Sequence, residues 1–378
     1  MIPNALLLTG PAQGIFLILL LSSKRKNSDA DKLLMLWLGI ISAQLLFYYD
    51  NLSGLPVISD YIQLLCFSLP LASSPILFLY TQSLSFGNNF KWKNLWFHGL
   101  FYLFFNIALF YLNLTIPGAV VIHNVFPNFN NEVPKTAAYF LMTLMAIVPG
   151  FYAILSLIVL LKHQKRLPNN YSNTEKLNLN WLKSIVISLL FLFILLFLLI
   201  KYGVNYTFVT SQNLFAVVGC ILSFYIFFIG YFGLRQTTIF VDIPTATPFE
   251  KVPESKALYK NSGLSNELAE KMFDQLKTHM QENKPYLDEN LTLNMLAVQL
   301  NFSGNQLSQI INQKAETNFF TFINTYRVNA VKYKLKDPSF SHYSILSIGY
   351  DCGFQSKSSF NKIFKQIAGK TPSQYQND

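Results

Sequence analysis

The run ISLLFLFILLFLLI, residues Ile187–Ile200, carries a single polar side chain, Ser188. A bilayer core is crossed by about 20 predominantly apolar helical residues. The run, extended to Leu182–Lys201, therefore predicts a transmembrane helix. Hydrophobic residues make up 52% of the chain and charged residues only 13%, whereas ordinary globular domains carry about 25% charged residues. This deficit indicates that further membrane spans surround the run.

Six other apolar stretches bring the predicted total to seven spans in the first 233 residues. The first stretch is the weakest, because Thr9, Gly10, Pro11 and Gln13 interrupt it. The fold class that follows is all-α, with a polytopic seven-helix membrane domain at residues 1–233. In chain order the predicted spans are Ala5–Ser23, Leu33–Leu52, Tyr61–Leu84, Leu95–Leu114, Ala137–Leu161, Leu182–Lys201 and Asn213–Gly233.

The loops between these spans alternate in basic residues. They hold 4, 0, 2, 1, 4 and 0 Lys or Arg in chain order. Cytoplasmic loops carry the excess of Lys and Arg, so the pattern predicts a multi-pass membrane protein with its N-terminus outside and its C-terminal region in the cytoplasm. The first 233 residues hold 13 basic and 6 acidic side chains. Most of the net charge of +10 is therefore explained by topology and is weak evidence for nucleic-acid binding.

Charged side chains are nearly absent from the span centres, which disfavours a pump or transporter. The uncharged polar residues there either join helices by hydrogen bonds or bind a ligand, and we favour the first role. Proline residues at 70, 75 and 149 are expected to kink their helices. The polar residues concerned are Gln44, Gln63, Ser73, Ser74, His98 and Asn106.

Motifs for metal, phosphate or covalent chemistry are not found in the sequence. The cysteines Cys66, Cys220 and Cys352 and the five histidines lack metal-ligand spacing. No Gly-rich phosphate loop or hydrolase elbow occurs. We therefore expect no cofactor, no metal and no enzymatic activity.

After Gly233 the composition becomes that of a soluble protein. Residues 234–263, with Pro244, Pro248 and Pro253, predict a linker. Residues 264–285 predict an amphipathic helix that either packs on the next domain or pairs with a second chain. Its apolar stripe consists of Leu268, Met272, Leu276 and Met280, spaced four apart.

Residues 286–378 contain two patterns in which a support helix, a turn and a second helix follow one another. In the first, LTLNMLAVQL (Leu291–Leu300) is the support helix and Ser303 is suited to cap the next helix. That second helix, Gly304–Gln313, is predicted to bury Leu307, Ile310 and Ile311. Its outward polar side chains are able to read base edges; they are Asn305, Ser308, Gln309 and Asn312.

In the second pattern, Ile345 and Ile348 lie on the support helix and Cys352–Phe354 forms the turn. The helix Ser356–Gln366 is predicted to bury Phe360, Ile363 and Phe364, and a helix near Phe319–Leu335 joins the two patterns. A support helix behind an exposed helix can set the latter into the major groove of DNA. The alternative for either pattern is a small helical bundle with a solvated polar face. The predicted outward residues are Lys357, Ser358, Asn361, Lys362 and Lys365.

The run ILSIGYDCGFQSKSSFNKIFKQIAGKTPSQYQ (Ile345–Gln376) resembles the signature of AraC/XylS-family transcription regulators. LAVQLNFSGNQLSQIIN and FFTFINTYRVNAVKYKL are similar to the first unit and the linking helix of that family. Gly349 stands where Ala is usual, at a cost of up to ~1 kcal/mol, and Gln376 replaces a closing Arg. The resemblance implies that Asn305, Ser308 and Gln309 of the first unit and Lys357, Ser358, Asn361 and Lys362 of the second meet bases.

The order of the regions also resembles seven-span AraC-type regulators of Bacteroidetes-like bacteria, although this part rests on span count rather than on motifs. The resemblance implies that the chain lies in the bacterial inner (cytoplasmic) membrane. The favoured hypothesis is a one-component sensor that couples an external or intramembrane signal to transcription. A membrane transporter or enzyme with an accessory DNA-binding tail, and a scaffold whose tail binds protein, are the alternatives. Expected partners are double-stranded DNA, the lipid bilayer, a second copy of the chain, a small or lipid-like ligand, and RNA polymerase.

Overall fold

The chain folds into two compact units. The computed structural model describes residues 5–54, 57–86, 95–175, 177–204, 210–241 and 266–378. The first unit combines Met1–Leu161 with Asn180–Pro244, and the second combines Lys162–Leu179 with Thr245–Asp378. The second unit thus includes the connection between the fifth and sixth predicted spans.

The residues up to 241 are mostly helical. A π-helical stretch, Leu199–Val204, follows α7, and a small antiparallel hairpin pairs β1 with β2, which the all-α prediction did not include. The elements are α1 (Ala5–Ser22), α2 (Asp29–Leu52), α3 (Asp60–Phe67), α4 (Pro70–Phe86), α5 (Leu95–Thr115), β1 (Val120–His123), β2 (Phe126–Phe129), α6 (Lys135–Asn170), α7 (Asn180–Leu198) and α8 (Ser211–Val241).

Among the residues that the structure describes, six helical segments are long and apolar enough to cross a membrane: α2, α3 together with α4, α5, α6, α7 and α8. Within the described residues α1 contributes a shorter apolar stretch, Leu7–Ser22, so the seventh span remains a prediction. Helix α8 runs on to Val241, which makes the first residues of the predicted 234–263 linker helical. The rest of the linker, from 242, lies outside the described residues.

Helix α1 packs closely against α2 and α8. Gly10 and Gly14 are four residues apart on one face, and a Cβ added at either would overlap Ser223 or Ser42 respectively. Small residues at this spacing let membrane helices approach each other closely. The residues that weaken the hydropathy of the first stretch therefore include those that allow its packing.

Polar side chains in the helices of the first unit make the hydrogen bonds expected of helix-joining residues. Asn51 Nδ2 of α2 donates to Gln63 Oε1 of α3 over 3.2 Å. Asn106 Nδ2 of α5 donates to Ser68 Oγ over 2.8 Å. Three of the predicted joining residues thus connect different helices, the third being His98, whose Nδ1 lies 3.0 Å from Tyr152 Oη of α6.

Other predicted joining residues bond within their own helix. Gln44 Nε2 donates to Tyr48 Oη over 2.9 Å, and the hydroxyls of Ser73 and Ser74 donate to Pro70 O. The helical run breaks between Phe67 and Pro70, as a proline there predicts. Helices α4 and α6, in contrast, continue through the prolines at 75 and 149.

The second unit has two hydrophobic cores that share one helix. Helices α9, α10 and α11 pack around the first half of α12, with Leu307 and Ile323 fully buried. Helices α13, α14 and α15 pack around its second half, with Val331 and Phe364 fully buried. The elements are α9 (Asn266–Glu282), α10 (Leu293–Gln299), α11 (Gly304–Lys314), α12 (Phe319–Lys336), α13 (Ile345–Asp351), α14 (Lys357–Ala368) and α15 (Pro372–Asn377).

Helix α9 matches the predicted amphipathic helix, with one correction. Met272, Leu276 and Met280 are buried as expected, whereas Leu268 is 46% exposed. Ala269 is buried in its place at 2% exposure. Because 3.6 residues complete a turn, a strict spacing of four drifts around the helix, which moves Leu268 off the packed face. Since α9 shares the first core, it packs on its own domain.

Candidate nucleic-acid interface

The pairs α10–α11 and α13–α14 are built by the same local interactions. Each support helix begins at a hydroxyl side chain, Thr292 or Ser344, that accepts from the backbone N–H three residues on. Such caps satisfy backbone donors that a helix leaves unpaired at its start. The two short helices therefore begin at the positions that the sequence marks for them.

The turns after these helices also share one geometry. Phe302 N donates to Ala297 O over 2.9 Å, and Phe354 N donates to Gly349 O over 3.2 Å. The residue before each phenylalanine has left-handed backbone, with φ of 56° at Asn301 and 90° at Gly353. Asn and Gly tolerate this region better than other residues. Two similar turns thus set two second helices, α11 and α14, against their support helices.

Helix α14 presents the polar face that the sequence predicts. Its N-cap, Ser356, accepts from Ser359 N, and Phe360 and Phe364 are fully buried. All five predicted DNA-contacting side chains of this helix are exposed, and three of them are lysines. They are Lys357, Ser358, Asn361, Lys362 and Lys365.

Helix α11 departs from its prediction. Ser303 caps it in a reciprocal box with Gln306, and Asn305 is exposed. Ser308 and Gln309, however, are buried at 3% and 4% exposure, so the expectation that they face outward is wrong for this structure. The hydroxyl of Ser308 accepts from Asn312 Nδ2, and Gln309 Nε2 donates to Gln313 Oε1, both at 3.4 Å.

The physical reason is that helical periodicity identifies which residues face the core of their own domain, not what covers the opposite face. Asn312, the fourth predicted outward residue, is half-buried. Of the predicted DNA-contacting face of α11, only the end at Asn305 is therefore exposed to solvent. The predicted face of α14 is exposed along its length.

Gly349 has a packing role that its low helix propensity conceals. A Cβ at this position would lie 3.0 Å from two ring atoms of Phe360, which is closer than an ordinary van der Waals contact. The ring of α14 thus rests against the backbone of α13. The glycine brings the second pair close together, which offsets part of the ~1 kcal/mol that it costs as a helix residue.

A family model described as a helix-turn-helix domain matches residues 296–378, the stretch that holds these helices. This match supports the assignment of the C-terminal region as a helix-turn-helix domain of the AraC type. DNA is accordingly its expected ligand class, as a transcription regulator requires. The match begins within α10 and covers no residue of the first unit. No match was found among curated proteins or among solved structures.

A buried arginine lies at the centre of the helix-turn-helix domain, and the sequence interpretation missed it. Arg327 of α12 is 1% exposed, and burial lowers its pKa to about 10, so it stays charged at neutral pH. Its Nε donates to Tyr286 O and its Nη2 to Asp288 O, both over 2.8 Å. The guanidinium thereby fixes the segment that leads into α10.

The same guanidinium reaches a segment far away in sequence. Arg327 Nη2 donates to Ser172 Oγ over 3.0 Å, and Nη1 donates to Ser172 O over 3.2 Å. Asn324 Nδ2, also fully buried, donates to Ser172 O over 2.9 Å. Ser172 Oγ in turn donates to Leu291 O over 2.7 Å. Ser172 is only 1% exposed, so it is an integral part of this domain's interior.

We call Tyr171–Glu175 the docking segment. Besides Ser172, it places Tyr171 in an antiparallel bridge with Thr292, the N-cap of α10. The Glu175 carboxylate accepts a short hydrogen bond from the Ser356 hydroxyl at the N-cap of α14. One segment thus touches the start of α10, the middle of α12 and the start of α14.

One part of this arrangement had a sequence signal. Arg327 lies four residues after Ile323 and four before Val331, both fully buried, so the helical spacing places a charge on the apolar stripe of α12. A charge there predicts a buried, hydrogen-bonded group. The partner Ser172 had no such signal, because the backbone oxygen that it offers is common to every residue.

Proposed function

We propose that the chain is a membrane-anchored, sequence-specific transcription regulator in which α11 and α14 both read DNA. The observation that carries the proposal is the repeated helix–turn–helix geometry, with the exposed lysine face of α14, inside an AraC-type domain. Lysines on such a face neutralise phosphates, and Asn and Ser side chains contact base edges.

The membrane part of the proposal rests on the apolar helices of the first unit, with α1 as the seventh span. An 18-residue helix such as α1 is about 27 Å long, close to the thickness of a bilayer core, about 30 Å. Its glycine-mediated packing supports this assignment. The positive-inside pattern then puts the helix-turn-helix domain in the cytoplasm, where chromosomal DNA is accessible.

The proposed sensor responds to a small or lipid-like molecule. The longest predicted external loop, Thr115–Thr136, contains the β1–β2 hairpin, whose Val125 N donates to Asn51 Oδ1 of α2 over 3.3 Å. A ligand that shifts this hairpin would act directly on α2.

The first experiment selects bound sequences from random duplex DNA, with the full chain in lipid nanodiscs. One enriched motif is expected. Lys362→Ala should lower the slope of log affinity against log salt by about 1, and Asn361→Ala should relax the preference at one base pair by about 1–3 kcal/mol. Lys370→Ala is the matched control, since Lys370 is exposed but follows α14 and pairs with Asp378 at 2.5 Å.

The alternatives give different results. A scaffold whose tail binds protein predicts no enriched motif and no effect of Lys362→Ala. A reporter active only in the cytoplasm, fused after Asp378, tests the topology. Its inactivity would place the helix-turn-helix domain outside and defeat the proposal.

A further inference from the structure

The docking segment lies between the two predicted membrane spans α6 and α7. Helix α6 ends at Asn170 and α7 begins at Asn180, so nine residues join them. The docking segment takes up five of these. The docking segment therefore follows α6 directly in the chain and ends five residues before α7 begins.

The docking segment is held by specific bonds rather than by general apolar contact. Ser172 forms hydrogen bonds with three residues, Leu291, Asn324 and Arg327. Two of these three partners are buried polar side chains, and such groups are costly to leave unpaired. The surface that binds the docking segment thus fits a polar backbone and a small hydroxyl side chain.

The Glu175 carboxylate places a negative charge at the start of α14, the helix that is proposed to contact DNA. Its carboxylate bonds to Ser356, directly before the exposed Lys357 and Ser358. The start of a helix attracts anions because unpaired N–H groups and the helix dipole point there. A DNA phosphate approaching the start of α14 would meet this carboxylate, and two anions disfavour each other at one position.

Helix α11 also has two predicted base-contacting positions that are closed to solvent. Ser308 and Gln309, at the positions that the family resemblance assigns to base contacts, are buried. The docking segment bonds to the start of α10, to α12 and to the start of α14, and the burial of these α11 side chains is a separate feature of the same domain.

From these observations we propose that the docking segment is an intramolecular brake: while it is seated, it opposes DNA binding, and movement of α6 and α7 releases it. The inference rests on the proposed DNA-binding function and assigns its regulation to Tyr171–Glu175. The chemistry is reversible hydrogen bonding, so release needs no covalent step.

A reversible disulfide can hold the docking segment in place. Residues paired across an antiparallel bridge have Cα atoms about 4.5–5.5 Å apart, within the range that a disulfide spans. Tyr171 and Thr292 are such a pair. The double variant Tyr171→Cys/Thr292→Cys is therefore prepared as the full chain in nanodiscs, and each single variant serves as the control for disulfides with the native cysteines.

Binding is measured on a duplex enriched from random DNA, before and after reduction of the same sample. The oxidised double variant should bind at least about tenfold more weakly than the reduced one, because locking removes the competent fraction. Single variants should show no such change. Equal or tighter binding by the oxidised form overturns the brake, and so does failure of the disulfide to form.

A charge variant tests the same inference without a crosslink. Glu175→Gln keeps the side-chain shape but removes the charge, and should bind the duplex about threefold or more tightly at low salt, with the gain shrinking as salt screens it. Thr174→Ala, one residue earlier, is the matched control and should bind as the parent chain does. Unchanged or weaker binding by Glu175→Gln contradicts the role assigned to the carboxylate.

Failure of the inference can be told apart from failure of the proposed function. The random-duplex selection is run with both the parent chain and Glu175→Gln. If neither enriches a motif, the DNA-binding function itself is wrong. If a motif is enriched but docking leaves affinity unchanged, the function stands and the brake does not.

Discussion

Replacing Arg327 with Met should loosen the helix-turn-helix domain from its centre. The guanidinium donates to Tyr286 O, Asp288 O and Ser172, and Met fills similar space without any donor. Within the described residues Ser172 O keeps its bond from Asn324 Nδ2, and Asp288 O keeps a longer bond of 3.3 Å from Leu291 N. Tyr286 O is therefore the carbonyl most affected when the guanidinium donor is removed.

The magnitude follows from these bonds. A buried carbonyl left without its donor costs about 1–3 kcal/mol, and each weakened bond about 0.5–1.5 kcal/mol more. Relief from burying a charge offsets part of this sum. The expected loss in opening free energy is about 2–4 kcal/mol, which lowers hydrogen-exchange protection roughly 30- to 1,000-fold at about 1.4 kcal/mol per factor of ten.

The assay is hydrogen exchange read by mass spectrometry on the full chain in nanodiscs, in peptides covering the Tyr286–Leu291 segment and α12. Lys336→Met removes the same charge from an exposed position on α12 and is the control. Arg327→Lys should recover less than half of the loss, because an ammonium cannot span the fork of partners. Protection in Arg327→Met equal to that of the control would refute the reasoning.

Three further predictions concern the second helix pair. Gly353→Ala should cost about 2–4 kcal/mol, because the φ of 90° is unfavourable for Ala and the added Cβ would lie 2.5 Å from Tyr286 O; the same exchange measurement reads it. Gly349→Ala should gain less than the ~1 kcal/mol of helix propensity, because the Phe360 ring must move; a full gain would contradict the packing argument. Burial raises the pKa of the Cys352 thiol to about 11 from 9.0, so its contribution to stability is present below pH 9 and is lost as the pH rises towards 11. Pulse proteolysis in urea at pH 8 and 10.5 should show a larger drop for the parent chain than for Cys352→Ala, by roughly 1–2 kcal/mol.

Features set by neighbouring residues were predictable from the sequence. Helix α14 is one, because its cap at Ser356 and the spacing of Phe360, Ile363 and Phe364 act within a few turns. Its exposed face followed from the same spacing and is confirmed. The turn at Gly353 is likewise set locally, since a left-handed residue there favours glycine.

Features set by contacts between distant segments were predicted less well. The burial of Ser308 and Gln309 depends on what covers the polar face of α11, and the periodicity of that helix contains no information on it. The first stretch was predicted as the weakest span because Gly10 counts among the residues that interrupt its hydropathy, although Gly10 lies where α1 packs closely. A hydropathy sum has no term for close helix packing, in which small residues are favourable.

The contact between the docking segment and Arg327 was the hardest part of the structure to predict. Its partners Ser172 and Arg327 lie 155 residues apart in sequence. The position of Arg327 on the apolar stripe predicts a buried charge. The carbonyl groups that accept its hydrogen bonds could come from any segment of suitable shape. Because the chosen segment directly joins α6 to α7, the arginine that organises the helix-turn-helix domain is also bonded to the connection between two predicted spans. In the proposed brake, a rearrangement of those spans acts on α14 through the bonds that the docking segment makes with Arg327 and Ser356. The contacts around Ser172 and Glu175 are thus the ones that the disulfide and charge variants test.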